Sequence, residues 1–212
     1  MLQTQSVYPA TLALLKELMS LEMLSNFNLV GGTALALQFG HRISVDLDLF
    51  SYSEFNRINL QQNLERFAEE KGFDYEWEII EKMTLIGKIN NIKVDFIYYP
   101  YKLIDELIIS NNIRLLSPKD IAAMKLSAIA QRGSKKDFFD LFELLNLFSL
   151  EEILGFYVKK FPNTDTTFLI RSLFYFRDAD KQDKLTILKP YKWEDVKARI
   201  NDVVNKFIDD QI

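Results

Sequence analysis

The chain has no cysteine, which excludes a disulfide framework, thiolate chemistry and zinc–sulfur sites. That absence fits a reducing compartment, and the expected location is the cytoplasm. A single histidine, His41, among 212 residues rules out multi-histidine metal centres and argues against serine–histidine catalysis. Five prolines and seven glycines are too few for a low-complexity chain, and no internal repeat is visible. No window approaches ~18 uncharged apolar residues, and no basic stretch followed by an apolar run opens the sequence, so neither a membrane span nor a secretion signal is expected. There is no surplus of positive charge. Lysine and arginine number 26 against 30 acidic residues, net −4, and the deficit lies in the first half while the second is mildly basic. What is present, 48% apolar and 26% charged residues, is ordinary for a globular protein with one core, or with a small domain followed by a helical one.

Apolar periodicity divides the chain near residue 115. Before it, a helix is predicted over 9–24 and a strand over 27–30 that ends in a Gly31-Gly32 turn. A short helix from Thr33 to Phe39, closed by Gly40, precedes a second strand over 45–50. Ser53 is placed as the N-cap of a helix running to Lys71. Strands follow over 75–80, 83–89 and 92–99, the last two joined as a hairpin by Asn90-Asn91, with a short strand over 113–116. After it, helices are predicted over 118–131, 135–148, 150–161, 166–176 and 193–208, with a polar, irregular stretch over 178–191. The expected fold class is α/β (α+β). A small mixed β-sheet with flanking helices spans residues 1–115, and a helical C-terminal domain spans 116–212.

Two features carry chemistry. In Val45-Asp46-Leu47-Asp48-Leu49 the two carboxylates share one strand face and the apolar residues the other. Neighbouring carboxylates repel unless a divalent cation sits between them, and hard oxygen ligands suit Mg²⁺. Gly31 and Gly32 let backbone approach a phosphate, and the amides opening the next helix can donate to it. Taken singly, an Asp-x-Asp is a solvated strand face and a Gly-Gly a turn; their compact spacing favours a nucleoside triphosphate site. Asp95, in the apolar run 92–97, is a third carboxylate. Either it lies on an edge strand facing water, or its strand adjoins 45–50 and three carboxylates converge. The second feature is Lys125, on the apolar stripe of its helix, with Arg132, Lys135, Lys136, Asp137 and Asp140. Asp137 and Asp140 share a helical face. The cations neutralise a triphosphate, or the cluster is ion pairing within a helical hairpin. On the first reading Lys125→Met, near in volume, leaves stability unchanged or improved.

Gly31-Gly32-Thr33, Arg42-x-Ser44-x-Asp46-Leu47-Asp48-Leu49-Phe50 and Lys125…Arg132…Lys136-Asp137-x-x-Asp140 together resemble the AbiEii/AbiGii-type nucleotidyltransferases. These are toxin components of type IV toxin–antitoxin and abortive-infection systems, within the DNA polymerase β-like superfamily. The resemblance covers about residues 9–148. It implies that Gly31, Gly32 and Thr33 hold phosphates, with Arg42, Ser44, Arg132 and Lys136 in the nucleotide site. Asp46, Asp48 and Asp95 would bind Mg²⁺ or Mn²⁺, Lys125 would contact the nucleotide, and Asp137 or Asp140 would be the essential acid. The implied reaction is transfer of a nucleoside monophosphate from a triphosphate to an acceptor hydroxyl, RNA and most plainly tRNA, with a cognate antitoxin as partner. A small-molecule or protein acceptor, or a non-catalytic nucleotide-binding module, remain alternatives. Lysines 181, 184 and 189 with Phe174, Tyr175, Phe176 and Tyr191 are either an RNA contact or a solvated loop beside a packed core.

Overall fold

Proline at the first turn starts α1 (Pro9–Ser20), which lays Leu14, Leu15 and Leu18 into the core. The computed structural model of the chain describes residues 1–210. β1 (Phe27–Leu29) runs directly into α2 (Gly31–Phe39), so Gly31-Gly32 is the first turn of the helix rather than a turn ahead of it. Gly31 at φ +66° makes that abrupt entry possible. β2 (Leu47–Ser51) is shorter than expected: Asp46 just precedes it, and Val45 is 46% exposed instead of joining Leu47 and Leu49 in the core. α3 (Arg57–Lys71) is capped by Asn56, whose side chain accepts from the Asn59 amide, and not by Ser53.

The meander β3 (Tyr75–Glu81), β4 (Thr84–Ile89) and β5 (Ile92–Tyr98) forms as predicted, with Asn90 and Asn91 at φ 51° and 60°. The same device recurs at Asn111-Asn112 (φ 52° and 62°), joining β6 (Ile108–Ser110), which the sequence reading missed, to β7 (Ile113–Leu115). The seven strands form one mixed sheet in the order β3-β4-β5-β2-β1-β7-β6. β2 lies in its middle, antiparallel to β1 and parallel to β5.

The helical half comprises α4 (Pro118–Arg132), α5 (Lys135–Leu144), α6 (Leu150–Lys160), α7 (Thr167–Ser172), α8 (Arg177–Asp180) and α9 (Trp193–Asp209). The single helix expected over 166–176 is thus only α7, with turns and α8 after it. One continuous core cluster runs from Val7 to Val204 across both halves. Lys160 and Asp120, both fully buried, pair at 2.8 Å and tie α6 to the start of α4. The irregular stretch before α9 has a definite job. It crosses the loop after α2, where the Ile43 amide donates to the Thr186 carbonyl and the Leu188 amide to the His41 carbonyl, both at 2.9 Å. No helix among the described residues is long and apolar enough to cross a membrane.

Candidate active site

Side chains alternate along β2 and β5, and the register pairs Leu47 with Val94, Asp48 with Asp95 and Leu49 with Phe96. The leucines, Val94 and Phe96 are fully buried, so the pleat turns Asp48 and Asp95 together to the opposite face. Of the two placements open for Asp95, the structure takes the internal one. The start of α2 lies against this face, the Val30 amide donating to the Asp48 carbonyl at 2.9 Å. No side chain caps α2, so its first amides have neither a helical partner nor a cap.

The glycines owe their place to neighbours the sequence does not reveal. A Cβ on Gly31 would sit 2.6 Å from Asp48 Oδ2, and one on Gly32 would overlap Arg42 Nη2. Gly31→Ala is therefore expected to cost more than the ~1–2 kcal/mol of a left-handed residue alone, and to push Asp48 out of place. Thermal melting should show a loss of several degrees, and an alanine variant melting like the parent would mean the backbone shifts freely here. Thr33 is spoken for. Its hydroxyl is hydrogen-bonded to Ser44 Oγ at 2.9 Å and donates to the Asp46 carbonyl, pinning the loop that presents Asp46.

Behind the glycines lies a lattice of buried ions. Arg42 grips Asp140 through Nε (2.7 Å) and Nη2 (2.9 Å), and His41 Nε2 reaches the same carboxylate at 2.7 Å. Lys125 Nζ lies 2.9 Å from Asp137 and 2.6 Å from Asp140. Arg132 Nε donates to Asp137 at 2.8 Å, and the Ser134 hydroxyl bonds to it as well. Burial opposes ionisation of Asp140, yet Arg42 and Lys125 hold its carboxyl well below the usual range; Lys125 and Arg132 do the same for Asp137. Burial alone would lower Lys125, but Asp140 and Asp137 keep it raised. Asp137 and Asp140, neither exposed to solvent, thus serve as anchors for the cations rather than as exposed acids. The ion pairing read from the sequence is present, and Lys125 and Arg132 also line the cleft. The expectation for Lys125→Met does not survive, because the substitution would strand two buried carboxylates.

A cavity of about 50 Å³ is lined by Gly31, Gly32, Thr33, Arg42, Ser44, Asp46, Asp48, Lys125, Arg132 and Lys136. All ten were singled out in the sequence. Asp95, Asp137 and Asp140 stand behind its wall. Lys136 reaches toward Asp46 at 3.5 Å, and Lys93, absent from the sequence reading, pairs with Asp95 at 3.2 Å. His41 was also missed as a member; its adjacency to Arg42 was the available signal.

Asp46, Asp48 and Asp95 suit a hard divalent cation. Burial, with Asp95 and Asp46 alongside, pushes the Asp48 carboxyl up to about 6. Burial likewise raises Asp95, whose Oδ1 is buried without a partner. Two repelling carboxylates and an orphaned oxygen are what an added positive charge relieves. Among the described residues no three such groups are clustered closely enough to form a ready-made ligand set. Asp46 and Asp48, both on the cavity wall, are the pair that fits best.

The sequence of residues 13–207 matches the family model described as nucleotidyl transferase AbiEii toxin, type IV TA system, so the similarity expected to about residue 148 continues through the helical half. The chain is 34% identical over 201 residues to the uncharacterized protein aq_aa25 of Aquifex aeolicus (strain VF5), covering 92% of this chain and 94% of that one. Its fold is similar to that of JHP933 from Helicobacter pylori (TM-score 0.57, 18% identity, 97% of this chain and 96% of that one). It is also similar to MenT4, the nucleotidyltransferase toxin Rv2826c of Mycobacterium tuberculosis H37Rv (TM-score 0.52, 14% identity, 91% and 83%). With the glycines, carboxylates and cations assembled on one cleft, the chain belongs to the AbiEii nucleotidyl transferase toxin family of type IV toxin–antitoxin systems, and its activity is nucleotidyl transfer.

Proposed function

We propose that this protein moves a nucleoside monophosphate from a triphosphate to a hydroxyl of RNA, most plainly a tRNA end, and that a cognate antitoxin restrains it in the cytoplasm. One observation carries the reading: two cavity carboxylates face four cations, Arg42, Lys125, Arg132 and Lys136, across the uncapped start of a helix. On this reading the Gly31 and Gly32 amides and the four cations hold the triphosphate. Asp46 and Asp48, with Asp95 behind them, hold Mg²⁺ or Mn²⁺. A bound cation of this kind supplies Lewis acidity to the α-phosphate and makes an acceptor hydroxyl easier to deprotonate. The acceptor oxygen attacks the α-phosphorus, the bond to the bridging oxygen breaks, and pyrophosphate leaves with the electron pair. Asp95, with its unpartnered Oδ1, backs the Asp46 and Asp48 pair as the third carboxylate, and the hydroxyl proton leaves to solvent. Lys125 and Arg132 stabilise the charge developing on the leaving group. On the two-domain division expected from the sequence, 1–115 supplies the glycines and carboxylates and 116–212 supplies Lys125, Arg132 and Lys136.

The test is incubation of the full chain with each α-labelled triphosphate, total tRNA and Mg²⁺, with and without chelator. Chelator-sensitive label on tRNA is the expected result. Label on protein or on a small molecule alone, with tRNA untouched, would sink the RNA reading.

A further inference from the structure

The phosphate cavity is too small for a base and a sugar, so the nucleobase of any nucleotide bound there must lie outside it. Arg132 lines both that cavity and a second hollow. Arg132, with its side chain 57% exposed, forms part of a groove of about 290 Å³ between the end of α4 and α7. That groove is lined by Gln131, Phe168, Arg171, Tyr175 and Asp178 among others. Phe168 is 61% exposed and Tyr175 50%. Large rings left in water beside a catalytic cleft are a cost to the free protein unless something covers them. Arg171 makes no salt bridge among the described residues, and it brings a second guanidinium to the groove.

We propose that this groove is a nucleobase-stacking subsite continuous with the phosphate cleft through Arg132, a claim that rests on the transferase reading. Phe168 and Tyr175 present faces to an unpaired base, Gln131 offers an amide to its edge, and Arg132 and Arg171 hold the flanking phosphates. Charge complementarity favours a nucleotide over an apolar peptide, because the cations stand beside the rings. Part of the stretch marked in the sequence as an RNA contact is otherwise engaged. Lys189 is paired with Glu143, Tyr191 packs on Phe142, and Phe176 packs on Phe138 and Trp193. Of that set, Tyr175 remains for stacking and Phe174 is 40% exposed nearby.

The experiment uses the full chain and two probes: a short single-stranded oligoribonucleotide ending in 2-aminopurine, and each nucleoside triphosphate with Mg²⁺. Binding by the parent should quench the 2-aminopurine. Phe168→Ala with Tyr175→Ala should weaken binding about tenfold or more, the order for losing aromatic stacking on one base. Phe168→Tyr with Tyr175→Phe should bind like the parent, and Phe168→Leu with Tyr175→Leu should not. Arg171→Gln should lower the salt slope of oligonucleotide binding by about 0.7, one phosphate contact on a single strand. Loss confined to the oligonucleotide assigns the subsite to the acceptor; loss confined to the triphosphate assigns it to the donor; either supports the proposal. Unchanged affinity for both probes in the alanine variant, full affinity in the leucine variant, or no affinity of the parent for either probe overturns it. The first of these results leaves the patch to a protein partner such as the antitoxin. Stacking without transfer to any acceptor would fail the transferase reading alone, so the two failures are separable.

Discussion

Replacing Asp48 by asparagine is expected to end nucleotidyl transfer while making the metal-free protein more stable at pH 7.5. The two effects have one cause. Asp48 is held on the cleft face of β2 beside Asp95, with Asp46 just before it, and its pKa stands at about 6 against an ordinary 3.8. A carboxyl raised on folding contributes stability that is full below 3.8 and is lost as pH rises through 6. At pH 7.5 its charge therefore works against the fold, by no more than about 3 kcal/mol and less because water reaches this half-buried group. Asparagine keeps the shape and removes the charge. Melting in chelator should show a gain of a few degrees at pH 7.5 and almost none at pH 4.5, on the scale of ~2–4 °C per kcal/mol for a chain of this size. Adding Mg²⁺ should stabilise the parent and not the variant. Transfer should fall about 10³-fold or more, since a cation site with one carboxylate removed loses both charge and geometry. Equal gains at both pH values, or near-normal turnover in Mg²⁺, would show that Asp48 is neither strained nor a ligand.

Lys125→Met is expected to move stability the other way, by about 3–5 kcal/mol, the cost of removing one partner from a buried ion cluster. On the same scale that is roughly 10 °C or more. Lys125 is 4% exposed and within ion-pair distance of both Asp137 and Asp140. Without it Asp140 keeps Arg42 and His41, and Asp137 keeps Arg132 and Ser134, so the chain should still fold, with Arg42 and Arg132 less firmly placed. Because both aspartates titrate below the usual range, the stability they supply is present above about pH 4 and disappears as acid protonates them; the variant should lose that acid sensitivity in part. Adding Asp140→Asn to Lys125→Met should recover part of the lost stability. A single variant that melts with the parent would return Lys125 to a purely surface-like role.

Much of the site was legible because its chemistry is local in the chain. Gly31-Gly32, Asp46-x-Asp48 and Asp137-x-x-Asp140 each announce themselves by spacing, and the apolar run around Asp95 made an internal strand one of its two readings. What escaped depended on contacts between distant segments. The partner of Asp140 is Arg42, and no periodicity relates those two positions. The glycines were read as making room for phosphate; that a Cβ on either would also meet Asp48 or Arg42 was not readable from the chain. The crossing of residues 186–188 over the loop at 41–43 uses only backbone amides and carbonyls, so no residue type marks it. β6 is a different kind of miss. Asn111-Asn112 is the same turn signal as Asn90-Asn91, but the strand before it is three residues long and Ile109 is 69% exposed, too little apolar pattern to read.

That crossing bears on how the protein comes into being. A ribosome delivers the carboxylate strand early, but Asp140, which grips Arg42, emerges 98 residues later, and the Thr186–Leu188 segment later still. Contacts of such long separation cannot form until both ends are free of the exit tunnel. A chain abandoned partway through translation therefore carries Asp46 and Asp48 without the brace that fixes Arg42 beside them. For a member of a toxin family this ordering has a consequence: a fragment that ends before Asp140 lacks the brace on Arg42 and is expected to be inactive.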